Sequence, residues 1–211
     1  MILLKLMDGK NQQNKSNYIM KFLKILIGII LILVIIFFAR GLMTPSISYQ
    51  SEITVDKSIE EAWAVMNDES KISEWLQDIT KVEHISGTKG EVGAVTQYTF
   101  NQNGQESLVL ETLKKTVPNK HVAMDFHMEG AMDMAYAVDF FEKDGKTHIK
   151  SSTTNTGQGL IMKSMFSFMQ GSFQKQEDIN MVNLKKLINE NTTNYFPEPV
   201  PEIDVKEDMS Q

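Results

Sequence analysis

The chain has 211 residues, a formal net charge of −6 and no cysteine. The acidic balance argues against a nucleic-acid partner, since no Lys/Arg cluster appears outside the flanks of one apolar segment. Without cysteine there are no disulfides, thiolate metal sites or cysteine nucleophiles, whereas the 14 methionines, dense between Met124 and Met181, offer adaptable apolar surface.

Residues 22–38 read Phe-Leu-Lys-Ile-Leu-Ile-Gly-Ile-Ile-Leu-Ile-Leu-Val-Ile-Ile-Phe-Phe, interrupted only by Lys24. A hydrocarbon core about 30 Å thick needs roughly 20 apolar residues in a helix. With Ala39 the run suffices if Lys24 snorkels to the headgroups. Residues 20–40 are therefore expected to be a transmembrane helix, with the membrane contacted through residues 22–39. A cleaved signal peptide is the alternative, but the apolar run is long for one and no Ala-x-Ala pattern follows it. A soluble core helix would show a polar stripe, and this run is apolar all round. Lys5, Lys10, Lys15, Lys21 and Lys24 precede it and only Arg40 follows closely, which predicts a cytoplasmic N-terminus and an extracytoplasmic C-terminal domain. Met20 heads Met-Lys-Phe-Leu-Lys, which looks like a natural start. Residues 1–19 read as a polar, disordered tail or an upstream extension.

A linker is expected over residues 41–47; the six residues 41–46 reach at most about 20 Å, so the domain sits near the bilayer. Residues 48–55 alternate as a strand. Ser58 then caps a short helix with Glu61 three residues on, a capping-box spacing, and Ile59, Ala62, Trp63 and Met66 share one face. A second short helix covers 70–76. The period then changes to two, with strands over 79–85, 93–101, 105–117, 120–128, 132–143 and 146–156, joined by Gly-, Pro- and Asn-containing turns. Residues 160–191 form one long amphipathic helix whose stripe runs Met162, Met165/Phe166, Met169, Phe173, Asn180, Leu184 and Leu187. Gly171 inside it predicts a kink or a close approach. The acidic, proline-containing residues 192–211 read as a disordered tail.

One strand, two short helices, six antiparallel strands and a long terminal helix give an α+β domain over 48–191 in which the helix covers the apolar face of a curved sheet. This order resembles the helix-grip fold of the START-like (SRPBCC) superfamily, in its polyketide cyclase/dehydrase-like branch. Val55-Asp56-Lys57-Ser58-Ile59-Glu60-Glu61-Ala62-Trp63 is similar to that family's V-x-x-S/A-x-E-x-V/A-W/F entry into its first helix, and Trp75 matches a Trp in the second short helix. The run 87–93, Gly-Thr-Lys-Gly-Glu-Val-Gly, looks like its glycine turn before the third strand. The resemblance implies a curved seven-stranded antiparallel sheet packed on a long C-terminal helix, here preceded by one transmembrane helix. It also implies an apolar ligand, such as a lipid, sterol or polyketide, held between sheet and helix. Its motifs carry no catalytic residue.

The candidate ligand-binding residues are Met162, Met165, Phe166, Met169 and Phe173 on the helix, all expected to face the sheet. Met124, Phe126, Met134 and Tyr136 stand opposite, sharing one parity with Met128, Met132, Val138 and Phe140. Plain core packing is the alternative for the stripe. His121, Asp125 and His127 fall on the other parity and His148 is also outward, so they suggest a solvated face and not a metal site. Glu111, Asp139 and Tyr136 are the only candidate acid–base groups, and strand alternation favours an outward position for both carboxylates. No nucleophile elbow or phosphate loop is present. The residues thus predict a membrane-anchored binding domain for an apolar small molecule or lipid, with no cofactor and no catalytic residue assigned. A membrane-held protein-interaction domain and a polyketide-cyclase-like enzyme are the alternatives.

Overall fold

The computed structural model describes residues 2–102 and 104–197, with side chains from residue 18 onward. Helix α1 (Ile2–Met43) leads into strand β1 (Ser46–Val55), then α2 (Ile59–Met66), a 3-10 turn and α3 (Ile72–Trp75). Strands β2 (Ile79–Ser86), β3 (Val95–Gln102), β4 (Gln105–Val117), β5 (His121–Met128), β6 (Met132–Lys143) and β7 (Lys146–Gly157) follow, and α4 (Gly159–Asn189) closes the domain. The seven strands form one antiparallel sheet in the order β1-β7-β6-β5-β4-β3-β2. Each strand from β2 to β7 pairs with the next, while β1 and β2 lie on opposite edges and α2 and α3 carry the chain between them.

Each turn has a local cause. Ser58 caps α2, its Oγ accepting from the Glu61 N–H at 3.2 Å. The expected capping box is only half formed, because the Glu61 carboxylate turns to Lys57 Nζ at 2.8 Å and Asn191 Nδ2 at 2.9 Å. Gly87 has φ of 82°, and a Cβ there would lie 2.8 Å from the Ala94 Cα, so the turn before β3 admits only glycine. A register shift in β4 between Leu113 and Lys115 marks a bulge against β5.

The core lies between the concave face of the sheet and α4, where Met181, Leu184 and Ile188 pack with Ile53, Val55, Val138 and Ile149. Several boundaries differ from those expected. Residues 2–19, expected to be disordered, continue α1. The linker shrinks to Thr44 and Pro45. Residues 192–197, expected to begin a disordered tail, fold back: Lys71 Nζ donates to Asn191 Oδ1 at 2.9 Å and the Tyr195 hydroxyl to Asp68 at 2.7 Å. Tyr195 also packs against the core and anchors the segment. The rest of that expected tail, residues 198–211, lies outside the described residues. Gly171 marks no close approach, since a Cβ there would meet open space.

Leu184 is essentially inaccessible. Leu184→Ala should destabilise the domain by about 2–5 kcal/mol. Val182→Ala, on the exposed side of the same helix, should change stability by less than about 0.5 kcal/mol. Urea denaturation followed by tryptophan fluorescence checks both.

Candidate functional site: the concave face of the sheet

Strand register decides which side chains reach the concave face. Cross-strand partners Met124↔Tyr136, Phe126↔Met134 and Met128↔Met132 stand side by side on it. Phe126 in turn opposes Glu111 on β4, and Glu111 opposes Thr96 on β3. The buried apolar residues fall into two clusters, one under α4 and α2 and a smaller one of Ile72, Ile79 and Tyr98 near β2 and β3. Half-buried Met124, Phe126, Met134 and Tyr136 lie between and beside these clusters. Phe126 bridges them, its ring 6.3 Å from both Tyr98 and Tyr136. α4 lies closest to β1 and β7. The thioether and aromatic wall on β5 and β6 therefore lies beside the helix and is only half covered.

On α4, Phe166 is buried, and Met162 and Phe173 are half-buried. The Phe173 ring stacks on Tyr49 at 6.4 Å and meets Phe166 edge-on at 5.0 Å. Met165 and Met169 depart from the expected inward stripe: they are 40% and 37% exposed. The buried face of α4 runs Phe166, Phe173, Glu177, Met181, Leu184, Ile188, and Met165 lies a 100° step away from Phe166. Asn180 is half-buried, one position from the buried Met181.

Glu111 corrects a second expectation, since it lies on the concave face with Val109 and Leu113. The opposite parity carries Leu108 and Leu110, both exposed, so counting apolar residues along β4 could not identify the inner side. Asp139 faces outward as alternation predicts and pairs with His121 at 2.7 Å. His127–Asp133 at 2.7 Å and His148–Glu52 at 3.0 Å complete a set of outer-face pairs between neighbouring strands.

Two carboxylates thus sit inside, each with a phenol. The Tyr98 hydroxyl donates to Glu111 Oε2 at 2.8 Å, and the Tyr136 hydroxyl donates to Glu177 Oε1 at 3.1 Å. Burial pushes both carboxyls above the ordinary carboxylate range, an effect only partly offset by their hydroxyl partners. Burial and the nearby Glu177 charge push the Tyr49 phenol up to about 12, and raise Tyr136 well above its usual value. Next to this pair Asn155 Nδ2 donates to the Tyr49 oxygen at 3.0 Å. Thr153 Oγ1 and Asn155 Oδ1, in residues only 3% and 1% exposed, have no hydrogen-bond partner among the described residues. A buried polar atom left so is costly and is normally satisfied by water or a ligand group.

Sequence reasoning missed Glu177, Tyr49, Tyr98, Thr153 and Asn155. For Glu177 a signal existed: it stands four residues after Phe173 and four before Met181, a carboxylate on an apolar stripe. A separate shallow groove of about 250 Å³ lies on the outer face, floored by small residues such as Ala123, Ala135, Ala137 and Ser152. Ser48, Gln50, Asp125 and Thr154 are among the polar residues along it. No group of three or more His, Asp or Glu side chains that could hold a metal ion occurs among the described residues.

No family model and no curated protein matches this chain. Solved structures do match. Ara h 8.0201 aligns at a TM-score of 0.50 and 18% identity, covering 66% of this chain and 98% of its own. TTHA0849 from Thermus thermophilus aligns at 0.55 and 13% identity over 67% and 97%. The di-domain ARO/CYC StfQ from the steffimycin biosynthetic pathway aligns at 0.57 and 7% identity, covering 70% of this chain and 52% of its own. At such identities the likeness is one of architecture. The domain following α1 has the helix-grip fold, a curved seven-stranded antiparallel sheet covered by a long C-terminal helix.

The raised carboxyls make stability depend on pH in a defined direction. Their folded pKa values exceed the unfolded 4.5, so the folded state retains these protons longer than the unfolded chain. Their contribution is most favourable below that value and is lost as pH rises through the folded pKa values. A Glu111→Gln/Glu177→Gln double variant should therefore lose less melting temperature than the parent between mildly acidic and alkaline pH. Thermal melts across that range test this; an unchanged slope would contradict burial as the cause.

Proposed function

We propose that this protein is a membrane-anchored binding domain for an apolar small molecule or lipid. The carrying observation is the half-buried wall of Met124, Phe126, Met134 and Tyr136 on the concave face, beside the helix that carries Met162, Phe166 and Phe173. A mostly apolar cleft with a few buried polar groups is the usual chemistry of a small-molecule site. Here the apolar surface would hold the body of the ligand. The Tyr136–Glu177 pair, with unpaired Thr153 and Asn155 nearby, would meet a single hydroxyl or carbonyl on it. Glu177, protonated more readily than an exposed carboxyl, can donate to a carbonyl or accept from a hydroxyl. The membrane contact is α1, whose segment Tyr18–Met43 is long and apolar enough to cross a bilayer. The lysines before it put the N-terminus in the cytoplasm and the domain outside.

A second reading, an enzyme of the cyclase type, rests on one observation. Glu111 lies on the concave face, has a raised pKa and is bonded to a phenol, which would suit proton transfer to an apolar substrate. It ranks below binding because no second group converges with it to activate or orient a substrate.

Photo-crosslinking in cells tests the binding reading. With p-benzoylphenylalanine placed at Phe126 or Met134, mass spectrometry should find small-molecule adducts, and the same probe at the outward Leu108 should give none. Absence of adducts at both inner positions would count decisively against a ligand. The topology has its own check. In the cysteine-free chain, a Val182→Cys thiol should react with an impermeant maleimide on intact cells, whereas Ser16→Cys should react only after permeabilisation.

A further inference from the structure

The proposed anchor explains why residues along α1 are apolar and exposed, but the domain itself carries more exposed apolar surface immediately beside it. On the first three turns of α4, Ile161 is 61% exposed and Phe168 59%, with Met165 between them. These residues are spaced i, i+4 and i+7, one continuous helix face. Leu160 and Met169 flank it and are also exposed. Beyond Gly171 the exposed positions of α4 turn polar, with Lys175, Gln176, Asp178, Lys185 and Lys186, broken by Val182 alone among large apolar residues. The apolar face is thus confined to one end of the helix.

That end is fixed against the exit of α1. The Phe37 ring stacks on Phe168 at 6.0 Å with planes 1° apart, and the Arg40 guanidinium sits 5.6 Å over the same Phe168 ring. Four residues on, the backbones meet: a Cβ on Gly41 would fall 2.7 Å from the Ser164 backbone nitrogen. Only Thr44 and Pro45 then separate α1 from β1. Phe37 and Phe38 are the last aromatic residues of the apolar run and Arg40 is the first charge after it, so this level of α1 is where hydrocarbon gives way to headgroups. Phe168 stands at the same level. Residues 29–36 of α1 are exposed, so the two helices part below the contact and leave the α4 face open on the lipid side.

We propose that the first three turns of α4 form a second membrane contact, in which Ile161, Met165 and Phe168 lie in the interface of the leaflet that α1 exits. This rests on the reading of α1 as an anchor. The occupant of the face is lipid and not a protein partner, because the stripe is continuous with the end of the apolar run. Arg40, beside Phe168, is placed to reach phosphates there. The consequence concerns the cleft. Half-buried Met162 belongs to the same three turns, so the proposed ligand wall and the membrane contact share one segment. A ligand drawn from the bilayer would enter without crossing bulk water.

The absence of cysteine makes the test direct. Single variants Ile161→Cys, Met165→Cys and Phe168→Cys are introduced into the full chain, with Val182→Cys on the far half of α4 and Ile30→Cys in mid-α1 as references. Each is labelled with a polarity-sensitive fluorophore and reconstituted in phosphatidylcholine/phosphatidylglycerol vesicles with or without lipids brominated near the headgroup or along the chain. The expected result is a blue shift and loss of emission to headgroup-proximal bromines at 161, 165 and 168, loss to chain bromines at 30, and neither at 182. Labels at 161, 165 and 168 that match 182 while 30 is quenched would overturn this second contact and leave the anchor standing. An unquenched label at 30 would overturn both.

Discussion

A sheet of seven antiparallel strands exposes a wide apolar concave face, and one helix has to cover it. α4 does so with Phe166, Phe173, Met181, Leu184 and Ile188 laid over Ile53, Val55, Val138 and Ile149. Side-chain amides secure the helix to the edge strand, with Gln170 and Gln174 donating to the β1 carbonyls of Ser48 and Gln50 at 3.1 and 2.8 Å. The position of α4 along β1 and β7 then decides three further things. It leaves the inner side chains of β5 and β6 half-buried, it brings Glu177 to Tyr136, and it holds Ser164 against Gly41.

The inner carboxylates are where the domain departs from what stability alone would choose. Glu111 and Glu177 each occupy a position that an apolar residue of similar size would fill with less desolvation. Each is compensated by one phenol hydrogen bond, and Thr153 and Asn155 add unpaired oxygens close by. Local violations of packing logic that persist in an otherwise consistent sequence are characteristic of functional sites. The outer face shows the contrary design. Its histidines are matched with carboxylates on adjacent strands, and small residues floor much of its groove.

The joint between α1 and the domain is equally constrained. A glycine at 41 lets the two helix backbones touch, and a connection of two residues gives the domain little freedom to tumble away from the helix end. Ring stacking of Phe37 on Phe168 makes α1 part of the domain's own packing and not only a leash. Asn191 and the folded-back Tyr195 tie the opposite end of α4 to α2 and to the 3-10 turn before α3 through Glu61, Lys71 and Asp68. Both ends of the covering helix are thereby pinned.

The architecture was legible because its signals are periodic and local. Alternation in β6 and β7, the cap at Ser58, the glycine turn at Gly87 and the apolar run before Arg40 each follow from backbone geometry or transfer free energy over a few neighbouring residues. Met124, Phe126, Met134 and Tyr136 were assignable to one face for the same reason. Glu111 was not, since exposed Leu108 and Leu110 make β4 apolar on both sides and erase the parity signal. Met165 was misjudged because a helix packed on both a sheet and α1 has more than one apolar face, and a single stripe cannot describe it. The pairings Tyr98–Glu111, Tyr136–Glu177 and Phe37–Phe168 join residues far apart in the chain, and long-range register alone determines them. Sequence thus set the elements and the chemistry available to them. Which groups meet, and which are denied water, depended on how the sheet curves and where the last helix lies across it.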